Sequence, residues 1–455
     1  MTIVNKDKKS GVAMVSLGCA KNLVNSEQMM FLLKEAGYEV SGDTTRAEIV
    51  IVNTCGFIES AKSEAIETII ELGLQKGSGQ IKKLVVTGCL AERYKNEIPA
   101  ELPEVDAIVG VGAFDDIVAV VTQTIQSDGI VKAFGDINAP VSETGRIITT
   151  SPVWTYLKIA EGCDNRCAFC VIPDIRGCFR SRPMDRVLDE AKILAKRGTK
   201  EFIIVAQDVT RYGLDLYGKR RLPDLLRGLC DIEGPEWIRL HYLYPDEIDD
   251  TLISTIAGND KILKYLDIPI QHINDEILRR MNRRGSGKDI RELFSRLRER
   301  IPGLVLRTSV ITGLPGEGER EFGELCEFIS ETKIERAGVF AYSPEEGTPA
   351  AAMLRPDEDT ALRRAELLSD IQSGVIDTFN ESRIGSITKV LIDNRDDGHF
   401  YGRSFAESPD VDGYIAVEGS GISADRFYDI VITGVNNGEL VGTLRREKGR
   451  FEYSQ

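Results

Sequence analysis

Residues 161–177 read EGCDNRCAFCVIPDIRG and place Cys163, Cys167 and Cys170 in one short loop. No fourth cysteine stands at an obvious ligand spacing, whereas zinc ribbons and closed iron–sulfur sites recruit four protein ligands. A CxxxCxxC array suits three thiolates wrapped around one face of a cubane cluster. One iron is then left without a protein ligand and is free to bind a small molecule. Cys178, in RGCFRSRP, would close the site if it ligated.

The array directly follows the apolar run WTYLKIA, the first of six such runs; the others are EFIIVAQD, WIRLHYLY, YLDIPIQ, LVLRTSVITG and AGVFAYS. Between them lie stretches of helical period such as RVLDEAKILAKRG, LPDLLRGLC, KDIRELFSRLRERI and EREFGELCEFISET. Six strand–helix units predict an incomplete parallel (βα)6 barrel over residues 149–380, with its chemistry at the C-terminal ends of the strands. Cys230 and Cys326 fall in amphipathic helices and are expected to pack there.

Upstream, residues 11–125 show the same βαβα rhythm, which predicts an open parallel sheet covered on both faces. Asn25 or Ser26 is placed to cap the first helix, NSEQMMFLLKEAG. Cys19, Cys55 and Cys89 each follow an apolar strand, in VSLGCAKN, VNTCGFI and VTGCLAE. The C-terminal ends of parallel strands share one edge, so three thiols far apart in sequence are predicted to meet there as a second metal site. A turn-rich stretch, SDGIVKAFGDINAPVSETGR, separates the two α/β segments. After the charged helical run PDEDTALRRAELLSDIQSGVIDTFNES, residues 382–452 carry about five short strands, which predict a small antiparallel β-barrel.

The 455 residues carry a formal charge of −15, which argues against broad nucleic-acid binding and suits a basic partner. Nine cysteines are too sparse for a disulfide scaffold and indicate thiolate or metal chemistry in a reducing compartment. The three histidines, His241, His272 and His399, lie at no zinc-enzyme spacing. No apolar run is long enough to span a bilayer, and Ser16 stands where a lipoprotein signal ahead of Cys19 requires Leu. A cytoplasmic protein is expected.

The CDNRCAFC array resembles that of the radical S-adenosylmethionine (SAM) enzymes, in which the open iron chelates SAM and the cluster's electron cleaves it to an adenosyl radical. The resemblance implies that Phe169 packs near the adenine and that Gly313, in VITGLPGE, lies against the adenosyl group. Gln207 and Asp208 end a strand pointing into the expected pocket, and Arg307 is a candidate for the SAM carboxylate. Cys178 is read as non-ligating, because matching sequences do not require it.

An N-terminal cysteine trio, this barrel and a terminal β-domain together resemble the methylthiotransferase family. That resemblance implies a second [4Fe–4S] cluster on Cys19, Cys55 and Cys89 and a C-terminal TRAM domain that docks the substrate. SLGCAKNLVNSE, NTCGFIESAKSEAIE, RLHYLYP and YLDIPIQH resemble the RimO branch, which modifies an aspartate of ribosomal protein S-twelve. The tRNA-modifying branch has GCQMN around its first cysteine instead. The implied reaction methylates a sulfur at the N-terminal cluster with one SAM, then uses the radical from another to open a C–H bond on the aspartate β-carbon. An electron donor such as flavodoxin or ferredoxin is implied, and a monomer is expected. The alternatives are a tRNA adenosine methylthiotransferase and a non-enzymatic iron–sulfur carrier or scaffold.

Overall fold

A computed structural model describes residues 10–396 and 399–445; the expected end of the last segment, at residue 452, lies outside them. The first sheet contains β1 (Gly11–Ser16), β2 (Glu39–Ser41), β3 (Ile49–Thr54), β4 (Lys83–Gly88), β5 (Ala107–Val109) and β6 (Val131–Ala133). All pairs are parallel, in the order β2-β1-β3-β4-β5-β6. Alternation divides the side chains between two faces. Ile49 and Ile51 join Val12, Val85, Leu33 and Ile117, while Val50 and Val52 join Leu84, Val86, Ala65 and Ile69. The edge strands β2 and β6 escape sequence reading because three residues carry no usable period, and β6 lies inside the turn-rich stretch.

Asn25 and Ser26 do not cap the first helix. It runs over Ala20–Glu35 with Cys19 as its N-cap residue and no side-chain cap bond. Ser26 donates to Ser16 Oγ (2.9 Å) and Asn25 Oδ1 accepts from Arg176 (3.2 Å), so both side chains are satisfied across an interface and the helix passes through them.

The second unit begins with β7 (Trp154–Lys158). A short hairpin of β8 (Ala160–Glu161) and β9 (Arg180–Ser181) follows, then β10 (Glu201–Val205), β11 (Trp237–Leu240), β12 (Ile262–Asp267), β13 (Val305–Thr312) and β14 (Arg336–Ala341). Apart from the hairpin these strands form an open, wholly parallel sheet in the order β14-β13-β12-β11-β10-β7, the predicted incomplete barrel. Phe202 and Ile204 pack towards the helices; Ile203 and Val205 face the other way, with Tyr156 and Tyr265. The helix Glu358–Ser382, capped by Asp357 on the Thr360 N–H, follows the last strand and packs on it.

The C-terminal strands β15 (Ile387–Asp396), β16 (His399–Arg403), β17 (Ile415–Glu418), β18 (Phe427–Asn436) and β19 (Glu439–Leu444) close into a barrel. It is not wholly antiparallel, because β17 and β19 pair in parallel. The connection after β17 passes over one strand position, which the β18–β19 hairpin then fills. Residues 403–412 tie this barrel to the inner face of the open sheet. Arg403 and Arg239 share Glu201, Tyr156 Oη donates to Asp410 (3.1 Å) and Tyr265 Oη donates to Asp412 (2.7 Å). Among the described residues no helix is long and apolar enough to cross a membrane.

Candidate metal centres

The CxxxCxxC array occupies the connection between β8 and β9, and its backbone is held on several sides. Cys163 N–H donates to Gly177 O (3.1 Å), Ala168 N–H to Met281 O (2.9 Å) and Phe179 N–H to the Asp164 carboxylate (3.0 Å). Asn165 Nδ2 donates to Asp208 Oδ2 (2.8 Å), whose other oxygen accepts from the Thr210 N–H (3.0 Å). Two donors reach sulfur: Ile172 N–H to Cys170 Sγ (3.5 Å) and Arg283 Nη1 to Cys167 Sγ (3.7 Å). Such N–H···S contacts set the electronic properties of a cluster. Burial pushes the Cys163 thiol up to about 11 and the Cys170 thiol further up.

The second trio forms where β1, β3 and β4 end side by side. Cys19 and Cys55 follow β1 and β3, and Cys89 begins the helical turn after β4. Gly18 has φ +84°, and a Cβ there would stand 2.6 Å from the Cys55 Cβ, so only glycine lets the two turns approach. Asn22 braces them by donating its amide to Leu17 O (2.8 Å) and Thr54 O (3.0 Å). Burial pushes Cys55 up to about 11 and raises Cys89 as well. Cys19 moves the other way: burial raises its thiol, but Lys21 and Arg176 outweigh that and hold it below its ordinary value.

Arg176 joins the two trios. It ends the short helix Ile172–Arg176 that leaves Cys170, yet its side chain crosses to the first unit. Its guanidinium donates to Asn22 Oδ1 (2.9 Å), Asn25 Oδ1 (3.2 Å) and Glu161 Oε1 (2.9 Å). Glu161 also accepts from Lys158 Nζ (2.9 Å) and Gln207 Nε2 (2.7 Å). Burial opposes its charge, but Arg176 and Lys158 hold its carboxyl far below the carboxylate range. Val171 and Ile175 of the same segment pack against Cys89. Glu161 and Arg176 bracket the cysteine array in the sequence, and their roles escaped sequence reading. A buried charge at each end of a metal loop is the signal that marks them.

Phe169 packs with Ala168, Leu314 and Ile311, beside the glycine-rich turn. Gly313 has φ +75°, and a Cβ there would lie 2.3 Å from the Ala361 Cβ, so this turn is pressed against the long helix. Gln207 offers Oε1 as a buried acceptor with no donor among the described residues. Asp208 spends both carboxylate oxygens on the array loop and on Thr210. Arg307 pairs with Asp267 (2.9 Å) and lies 3.8 Å from Asp412. Cys178 is exposed, while Cys230 and Cys326 are half-buried at helical positions. His241 bonds Ser408 (2.9 Å), His272 faces Glu317 (3.3 Å) and His399 begins β16. Among the described residues no three Cys, His, Asp or Glu side chains close around one point as a mononuclear ion requires.

Three known families match along the chain. Residues 11–110 match Uncharacterized protein family UPF0004, residues 157–329 the Radical SAM superfamily and residues 384–444 the TRAM domain. Relatives named ribosomal protein uS12 methylthiotransferase RimO align over almost the full length. That of Lachnoclostridium phytofermentans is 46% identical over 94% of this chain and 98% of its own. That of Acetivibrio thermocellus is 44% identical over 97% and 100%. The chain belongs to the RimO branch of the radical SAM methylthiotransferases.

The solved structure of TsrM, a radical SAM methyltransferase from Kitasatospora setae with tryptophan and a SAM analogue bound, shares the fold. Its TM-score is 0.56 over 75% of each chain, at 15% identity. As a radical SAM enzyme, this RimO-family chain uses SAM and a [4Fe–4S] cluster. The donor chemistry at the array fits that cluster, with three half-buried cysteines in one loop and N–H donors on the sulfurs of Cys167 and Cys170.

Proposed function

We propose that the enzyme adds a methylthio group to the β-carbon of an aspartate in uS12, using two clusters. One is held by Cys163, Cys167 and Cys170, the other by Cys19, Cys55 and Cys89. The observation that supports this reading is the reach of Arg176 from the array segment into the first unit, where it donates to Asn22 (2.9 Å) and Asn25 (3.2 Å) on the helix that follows Cys19. An isolated electron carrier has no need of a second open site placed against the first.

A cluster with SAM on its open iron supplies a carbon-centred oxidant able to take hydrogen from an unactivated C–H bond. The chain's own residues position and protect. Asp208 fixes the array loop through Asn165; Phe169 and Gly313 flank the adenosyl group; Gln207 Oε1 is the acceptor for a donor on SAM or substrate. Arg307 is the candidate cation for the SAM carboxylate, a role it would share with its bond to Asp267. Arg176 places positive charge beside the second trio, which suits a thiolate-ligated, anionic cluster.

The net charge of −15 complements a strongly basic ribosomal protein, and the C-terminal barrel docks it. Flavodoxin or ferredoxin supplies electrons, and the enzyme works as a cytoplasmic monomer. Intact-mass measurement of uS12 from a strain lacking this enzyme should show a loss of roughly 46 Da, the mass of the added SCH2. An unchanged uS12 mass together with loss of methylthioadenosine from tRNA would move the substrate to tRNA.

A further inference from the structure

Buried cations in this protein come with carboxylates. Arg176 and Lys158 have Glu161, Arg239 and Arg403 have Glu201, and Arg336 and Arg383 have Glu407. The other buried Lys and Arg side chains among the described residues are likewise paired, with one exception. Lys21 is 8% exposed and has no carboxylate partner among the described residues. Its Nζ lies 3.5 Å over the centroid of the Tyr242 ring. The ring and the neighbouring Cys19 sulfur supply only part of what a buried ammonium loses on leaving water, so the position favours a further anion, a carboxylate from outside the chain.

Its place in the fold says which anion. Lys21 stands in the first turn of the helix Ala20–Glu35, two residues after the proposed ligand Cys19, where the helix dipole adds positive potential. Tyr242 follows the C-terminal end of β11, on the sheet edge that also carries Gln207 and the array, and it takes φ +62° to do so. The ammonium therefore sits at the seam between the N-terminal trio and the barrel mouth. On that edge the Gln207 amide oxygen is a buried polar atom without a partner among the described residues.

We propose that Lys21 is the carboxylate anchor for the substrate: its ammonium pairs with the side-chain carboxylate of the target aspartate, which presents the adjacent β-carbon between the two trios. This rests on the aspartate reading above and adds the residue that enforces it. A carboxylate one bond from the reacting carbon fixes that carbon more tightly than any contact to the flanking peptide. It also discriminates: an amide in place of the carboxylate would leave the buried ammonium without its counter-charge.

The test compares anaerobically reconstituted wild type with Lys21→Met, and with Lys21→Gln as a second neutral variant if the first folds poorly. Each is assayed with purified uS12 carrying either Asp or Asn at the modified position. Binding is followed by fluorescence anisotropy of labelled uS12, and turnover by intact mass. Wild type should prefer the Asp form by roughly ten- to hundredfold in Kd, and the neutral variants should lose that preference while keeping iron and sulfide. Lys21→Arg should keep part of it. Neutral variants that retain the Asp preference would overturn the assignment. So would loss of the N-terminal cluster's iron and sulfide in these variants, since Lys21 would then serve to hold the cluster. Wild type that leaves Asp-uS12 unmodified would fail the substrate reading itself, and is distinguished by that arm.

Discussion

At the scale of single residues, Glu161 has the most to lose. It is the common counter-charge for Arg176 and Lys158, both buried. Glu161→Gln leaves two buried cations with no carboxylate, so a cost of about 3–5 kcal/mol is expected in anaerobic denaturant titrations. The same change should weaken the N-terminal cluster, because Arg176 loses the bond that aims it at Asn22. Asp208 is a positioning residue for the array loop. Asp208→Ala should cost about 1–3 kcal/mol and lower iron retention at the barrel site, with the N-terminal site unaffected. Iron retention measured in a Cys19, Cys55, Cys89 triple-Ala background isolates that effect. Cysteine spacing makes both trios legible, because strand–turn punctuation is local. The reach of Arg176 to Asn22 and Asn25 is not legible, since those groups meet only after two units dock.

At the scale of elements, the turn after β1 decides whether the N-terminal trio assembles. Gly18→Ala forces a left-handed alanine against Cys55 and should abolish the N-terminal cluster's iron while leaving the barrel cluster intact. The strands that carry the site were readable because buried parallel strands are continuous apolar runs. The start of the first helix was not. Asn25 and Ser26 have the chemistry of cap residues, but the interface with Arg176 and β1 satisfies them and moves the start back to Ala20. The parallel β17–β19 pair was equally hidden, because periodicity gives a strand's existence and not its neighbour.

At the scale of the whole molecule, buried ion pairs fix how the three units sit. Glu345 accepts from Lys62 (3.0 Å) and Arg93 (2.7 Å), fastening the first unit to the barrel. Glu407 does the same for the C-terminal barrel through Arg336 (3.0 Å) and Arg383. Burial opposes the Glu407 charge, but Arg383 and Arg336 lower its carboxyl from 4.5 to about 2. A carboxyl held low when folded stabilises above its unfolded value, and that contribution drains away as pH falls from about 4.5 towards 2. Glu407→Gln should flatten this part of the acid-denaturation curve, followed by tryptophan fluorescence of Trp154 and Trp237. The measurement closest to the central claim is iron and acid-labile sulfide per chain after anaerobic reconstitution. Two open cubanes predict roughly eight irons in the wild type and about four when Cys19, Cys55 and Cys89 are all alanine. A wild-type chain that binds only about four, or a triple variant that still binds about eight, would contradict it.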